Sequence, residues 1–304
     1  MGEHLRIMGI YAHPADVATE AAGTMALHAD RGDELTAVVL SDGLRMHPHL
    51  LTVGDGSANG AAGGAAAEGA AAGELVSFEE YAEFKREEVR RAARIIGIAG
   101  TEFMAWDRDF FNATDERVEA LARVIVRHRP DVILTHYPVG PYLIDSNAFA
   151  GIYATRAMHL ATTLIPRVDG VEPHFVKELY FFLMDQSMDT RSNIDTPGIV
   201  ADFFIDTTSV IERKVQAFDQ YVSQGYEGAF ARKVVEARDG RHGMHAEASY
   251  AEPFLFSRSV TYDALPITAR VMDSTYVANN LPGDRLLAYQ VPLATPPEAY
   301  RLRR

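Results

Sequence analysis

Residues Ile7–Gly43 read IMGIYAHPADVATEAAGTMALHADRGDELTAVVLSDG. Ile7–Tyr11 is a short unbroken apolar run, as expected of a strand buried on both faces of a parallel sheet. It stops at Ala12-His13-Pro14-Ala15-Asp16, where polar groups begin. The spacing then predicts a helix over Val17–His28, ended by Arg31-Gly32-Asp33. Leu35–Leu40 is a second apolar run, ending at Ser41-Asp42-Gly43. Strand, helix and strand in that order make a β-α-β unit, and ligands of open α/β sheets bind beyond the carboxyl ends of the strands. His13 and Asp16 stand at such an end. Imidazole nitrogen and carboxylate oxygen three residues apart both suit a borderline divalent ion such as zinc. Asp16 would serve equally well as a helix N-cap.

The alternation continues outward from there. Ser77 and Glu80 form a capping box before EEYAEFKREEVRRAARIIGI, whose core face is predicted to carry Tyr81, Phe84, Val89, Ala92, Ala93 and Ile96. Glu102–Trp106 is a predicted strand and Thr114–Arg129 an amphipathic helix. Val132–Thr135 is a buried strand ending at His136, and a helix is expected from Ala148 to about Leu164. Strands over Val176–Met184 and Ile199–Ile205 follow, then a helix over Thr207–Val222 capped by Asp206 or Thr207. The expected fold class is α/β: a Rossmann-like three-layer sandwich with a mainly parallel sheet. One domain is expected over residues 1–260, with a Gly/Ala-rich insertion at 54–73 that has no apolar pattern and is expected to be flexible. Residues 261–304, with a Pro-rich stretch from Pro292 to Pro297, are expected to be an extension lying on the domain or on a neighbour.

Composition narrows the chemistry. The 304 residues include no cysteine, so a metal here must use His, Asp, Glu or Asn. A net charge of -13 argues against a general nucleic-acid or anionic-membrane surface. It leaves room for an anionic small molecule wherever cations cluster locally. No run reaches the roughly 18 apolar residues of a membrane span, and no signal peptide is visible before the first strand, so none is expected. The expectation is a cytoplasmic protein acting on a small-molecule substrate.

Ala12-His13-Pro14, Asp16, Gly23-Thr24, Ala26 and Ser41-Asp42-Gly43 together resemble the PIG-L/LmbE-like family of zinc-dependent N-deacetylases. So do Lys85-x-x-Glu88, RPDVILTH ending at His136, DTTSVIERKVQAF from Asp206, and Tyr250-Ala251-Glu252-Pro253-Phe254. The resemblance runs, with gaps, from about Ile7 to Phe254. It implies a divalent metal, zinc above all, on His13 and Asp16, and a homo-oligomer. The family's third ligand falls on Asn147 in an ungapped reading anchored on Thr135, Pro138 and Tyr142, and on Ser146 if one residue is skipped. Its general base falls on Ala15 and its following Glu on Val17. General-base catalysis contributes about two to four orders of magnitude, so Ala15 argues against a conventional deacetylase.

Ala15-Asp16, Ala22-Gly23, Ala26-Leu27-His28-Ala29, Gly32 and Pro141-Tyr142…Asp145 resemble instead the hydratase branch of the family, the 4-oxalomesaconate hydratase-like enzymes. That resemblance implies a hydratase or lyase acting on a small carboxylated keto-acid. Arg45 and Lys85 would hold carboxylates, with Tyr142 beside the substrate. His47, His49, His136 and Asp42 would move protons, the first two from a loop expected to act as a lid. Leu44 stands where the hydratases carry Glu. A deacetylase or amidase with another base, and a non-catalytic relative, are the alternative readings.

Overall fold

The computed structural model describes residues 4–44, 52–53, 74–75, 77–107, 110–139, 146–182 and 200–268. The Gly/Ala-rich insertion at 54–73 and residues 269–304 lie outside them. So do Arg45, His47, His49 and Tyr142 among the expected site residues.

The first apolar run forms β1 (Arg6–Tyr11), buried from Ile7 onward. The predicted helix after it is two pieces, α1 (Asp16–Thr19) and α2 (Ala22–Asp30), with a break at Glu20-Ala21. β2 (Glu34–Val39) follows, then a two-stranded antiparallel pair, β3 (Thr52–Val53) and β4 (Glu74–Leu75). α3 (Phe78–Ile96) starts at the predicted capping box, with Ser77 and Glu80 bonding each other's backbone N–H, and stops at left-handed Gly97. Phe84, expected inside, is 40% exposed, because the buried stripe runs instead through Tyr81, Ala82, Lys85, Glu88 and Val89.

β5 (Gly100–Phe103), α4 (Asp115–His128), β6 (Val132–His136), α5 (Ser146–Thr162), α6 (Leu164–Asp169) and β7 (Glu178–Phe182) continue the pattern. After β8 (Phe203–Asp206) come a 3-10 turn at Thr208–Val210 and α7 (Ile211–Phe218). The Asp206 carboxylate accepts the Thr208 N–H at 3.1 Å, but the N-cap of the 3-10 turn is Thr207 and that of α7 is Val210, neither with a side-chain cap bond. α8 (Ala229–Val235), a π-helical turn (Glu236–Gly240), α9 (Arg241–Ala246) and β9 (Ala251–Phe256) complete the domain. His242 and His245 both lie on α9.

One seven-stranded sheet has the order β5-β2-β1-β6-β7-β9-β8. β5, β2, β1, β6 and β7 are parallel, and β9 runs antiparallel to both its neighbours. Pro253 in β9 pairs with Phe204 of β8, and among the described residues the pairing of β9 with β7 runs from Phe256 to Phe254. One face packs Tyr11, Leu35 and Val39 against α1, α2, α3, α7 and α8; the other packs Met8, Ile10 and Ile133 against α4, α5 and α6. This is the expected three-layer α/β sandwich. Among the described residues no helix is long and apolar enough to cross a membrane.

The chain leaves β1 toward β2 and β5 on one side and returns as β6 on the other. The switch point therefore lies between β1 and β6, where ligands of such sheets bind.

Candidate active site

β1 ends into the turn Ala12–Ala15, and Asp16 opens α1. The Asp16 Oδ2 accepts the His13 backbone N–H at 2.8 Å. It also lies 3.5 Å from His13 Nδ1 and 3.2 Å from His136 Nε2. Burial works to raise the Asp16 carboxyl, but the hydrogen bonds and charges of His13 and His136 outweigh it and hold the group ionised far below the usual range. Asp16 does not cap α1: the N-cap is Ala15, with no side-chain bond. Its oxygen instead gathers two imidazoles at the switch point.

Neighbouring strand ends are stitched to that turn. Ser41 Oγ donates to the Ala12 carbonyl at 2.9 Å, and Thr135 Oγ1 donates to the Ile10 carbonyl at 2.9 Å. His136 is fully buried at the end of β6, edge-on to Phe182 at 5.2 Å, with Nε2 3.3 Å from the Ala12 N–H. The His13 ring packs at 6.1 Å from that of Phe110 and stays partly exposed. Ala15 is buried and brings no functional group.

The turn after β2 is built from side chains on two other elements. Asp107, beyond β5, accepts the N–H of Asp42 at 2.9 Å and of Leu44 at 2.8 Å. Both oxygens of Asp42 are taken by Arg86 of α3, at 2.9 and 2.6 Å. Burial, with the Asp107 charge, pushes the Asp42 carboxyl up against the pull of Arg86. Asp42, expected to move protons, is thus committed to holding the turn. Gly43 adopts φ +67, where only glycine is unstrained, and a Cβ there would meet Pro14 at 3.4 Å and Lys85 Nζ at 3.7 Å. Lys85 is 1% exposed, with its Nζ 5.3 Å from the Tyr81 ring centroid.

Asn147 lies in the first turn of α5. One turn later, Gly151 brings α5 so close to β6 that a Cβ would stand 2.2 Å from the His136 carbonyl and 3.0 Å from Pro138 N. Asn147 and Gly151 share a helix face, so Asn147 is carried to the β6 end of the site. Glu88, one turn beyond Lys85 on α3, accepts the Ser223 N–H and hydroxyl at 2.7 and 2.6 Å. Behind the site, Lys214 of α7 bonds Asp239 at 2.5 Å and Glu252 at 2.7 Å, all three buried. Glu252 in turn accepts the N–H of Gly23 and Thr24 at the start of α2, at 2.9 and 2.7 Å.

The structure therefore brings together His13, Asp16 and His136, places Asp42 on the adjoining turn, and sets Lys85 of α3 against that turn at Gly43. Arg86 and Asp107 were missed in the sequence. The one signal was position: Arg86 follows Lys85, and Asp107 closes the run after β5.

As to a metal, no group of three His, Asp or Glu side chains is gathered for one among the described residues. His13 and Asp16 nevertheless present donor atoms 3.5 Å apart, close to the ~3.4 Å between neighbouring ligands of a tetrahedral ion with bonds of about 2.0–2.1 Å. The donor chemistry fits a divalent ion, with Asn147 the weakest member of the set.

The profile of the PIG-L family, described as GlcNAc-PI de-N-acetylase, matches residues 8–147. The 4-oxalmesaconate hydratase of Pseudomonas putida KT2440 is 28% identical over 221 residues, which covers 71% of this chain and 72% of that protein. Among solved structures, the 4-carboxy-2-hydroxymuconate hydratase of Pseudomonas putida KT2440 is 23% identical and covers 86% of this chain and 100% of its own, with a TM-score of 0.66. The N,N'-diacetylchitobiose deacetylase of Pyrococcus horikoshii is 18% identical and covers 83% of this chain and 84% of its own, with a TM-score of 0.59. The two structural likenesses are likenesses of fold.

Proposed function

We propose, from the PIG-L family match over residues 8–147 and the likeness to a 4-oxalmesaconate hydratase, that the chain is a PIG-L/LmbE-type metal-dependent hydratase of a small unsaturated keto-acid carrying carboxylates. One observation carries this reading. Against the turn after β2, at Gly43, the site offers a buried cation, Lys85, and there is no carboxylate at position 15. The cation suits an anionic substrate, and Ala15 removes the base that amide hydrolysis would use.

His13 and Asp16, with Asn147, would hold the metal. Bound there, a divalent ion supplies a polarised carbonyl or a water acidic enough to add near neutral pH. Asp16 is kept ionised for that task by His13 and His136. His136, buried and edged by Phe182, fixes the Asp16 carboxylate more readily than it reaches a substrate. Arg86 and Asp107 hold the turn from Ser41 to Leu44 in shape. Lys85 binds a substrate carboxylate; the family resemblance assigns Arg45 and Tyr142 to substrate binding with it and His47 and His49 to proton transfer. The 4-oxalmesaconate of the Pseudomonas relative's name is the first substrate to try.

The test is metal content by elemental analysis, together with a panel of unsaturated keto-acids and N-acetyl compounds. About one divalent ion per chain, lost in His13→Ala, with hydration of a keto-acid, is the expected result. Metal with release of acetate would assign a deacetylase. Neither metal after incubation with excess zinc nor turnover would assign a binding role.

A further inference from the structure

At the carboxyl ends of β1, β2, β5 and β6, the carboxylates among the described residues are already committed. Asp16 takes the His13 N–H and stands 3.2 Å from His136. Asp42 is held at both oxygens by Arg86, and Asp107 accepts two backbone N–H groups. Glu88 is spent on Ser223. Ala15 contributes nothing ionisable.

Lys85 differs from all of these. It is 1% exposed, and among the described residues its ammonium has the face of Tyr81 but no hydrogen bond and no ion pair within 4 Å. Asp42, Asp107 and Glu88 act on it only through space. A Cβ on Gly43 would meet both Pro14 Cδ at 3.4 Å and Lys85 Nζ at 3.7 Å, so the ammonium stands close to the residue that follows His13. Burying an ammonium without a partner is expensive. The group therefore favours an arriving anion and parts with its proton more readily than a surface lysine. Burial lowers its pKa accordingly, against the opposing pull of Glu88, Asp107 and Asp42.

We propose that Lys85 is the proton donor of the reaction: its ammonium, drawn to the substrate's carboxylate and enolate oxygens, gives its proton to the α-carbon as water adds to the β-carbon. This rests on the hydratase reading above. An O–H bond of water breaks and its oxygen bonds to the β-carbon, while the C=C pair moves toward the keto oxygen. The enolate then returns that pair to the α-carbon, which takes the Lys85 proton. The proton lost by water goes to solvent, and the neutral amine regains one from the same source. A lysine can make this transfer; an arginine in its place would hold the anion but keep its protons.

The experiment measures kcat and KM for hydration of 4-oxalmesaconate against pH, by loss of conjugated absorbance, in the metal-loaded wild type, Lys85→Arg and Lys85→Gln, with circular dichroism on each. Lys85→Arg should keep KM within about threefold while kcat falls ~100-fold or more. It should also lose the alkaline decline of kcat that the wild type shows as Lys85 loses its proton. Lys85→Gln should be impaired in both constants. If Lys85→Arg is misfolded, Lys85→Ala with added ethylamine replaces it: recovery of kcat supports the proposal and no recovery overturns it. A Lys85→Arg enzyme with near wild-type kcat overturns the proton role while the hydratase reading stands. A wild type that hydrates nothing removes that reading, and this proposal with it.

Discussion

Replacing Lys214 by Met should destabilise the domain more than any surface change, and the structure says by how much. The Lys214 ammonium sits 2.5 Å from Asp239 and 2.7 Å from Glu252, and the three side chains are at most 5% exposed. Methionine keeps the length and removes the charge, leaving two carboxylates facing each other without a cation. Breaking a buried pair in this way costs about 3–5 kcal/mol. At roughly 2–4 °C per kcal/mol for a domain of this size, the midpoint should drop by roughly 6–20 °C. The loss reaches the site, because Glu252 also holds the Gly23 and Thr24 N–H groups that begin α2.

The pH dependence has a definite sign. Burial and the Glu252 charge already push the Asp239 carboxyl up to about 6 in the intact network. Without Lys214 it rises further. The folded variant then binds protons that the unfolded chain takes up only near pH 4, so its stability deficit shrinks as pH falls from 7.5 to 5. Urea unfolding of both proteins at pH 7.5 and 5.0 measures this. A loss under 1 kcal/mol at pH 7.5, or one equal at both pH values, would refute the reasoning.

Three further changes have expected outcomes. Gly151→Ala places a methyl 2.2 Å from the His136 carbonyl; forcing α5 off β6 should cost about 1–3 kcal/mol and weaken metal retention through Asn147, read by thermal unfolding and elemental analysis. Ala105→Gly should leave stability unchanged or raise it by about 0.5 kcal/mol, because Ala105 sits at φ 55 between two N–H groups bonded to β2 and its following loop; the same change in a helix costs about 1 kcal/mol. At Asp131, burial would raise the carboxyl, but the Arg6 N–H at 2.9 Å, Lys177 at 2.9 Å and the Arg6 guanidinium hold it down to about 2. Asp131→Asn should therefore cost about 1–2 kcal/mol at pH 7, a difference that fades as pH falls from 4 through 2, as acid titration of both proteins would show.

The parallel half of the fold is legible because its strands are short apolar runs closed by Pro, Gly and Asp, and each closure coincides with a strand end: Tyr11 before the His13 turn, Val39 before Ser41, His136 before Pro138. The antiparallel half is not legible. The direction of β9 depends on its pairing with β7 and β8, distant in sequence. The helical stretch from Ala229 to Ala246 is hidden by Gly240 and Gly243. Gly243 reads as a breaker, but it is there because a Cβ would meet the Ser249 carbonyl at 2.5 Å.

In the site, His13 and Asp16 are readable from spacing, since three residues span one turn. The partnership of Asp42 with Arg86 joins residues 44 positions apart, and no local pattern announces it. Lys214, Glu252 and Glu88 stand in recognisable motifs, but their joint role as the scaffold behind the site appears only when α3, α7 and β9 are packed together.

The most direct measurement follows 4-oxalmesaconate and an N-acetylated amino sugar side by side with the zinc-loaded protein, reading loss of conjugated absorbance for one and released acetate for the other. Hydration of the keto-acid, abolished by Asp16→Asn, with no acetate released, is what a hydratase built on His13, Asp16 and Lys85 predicts. Acetate release at rates above those of hydration would contradict it and return the site to amide hydrolysis with a base other than residue 15.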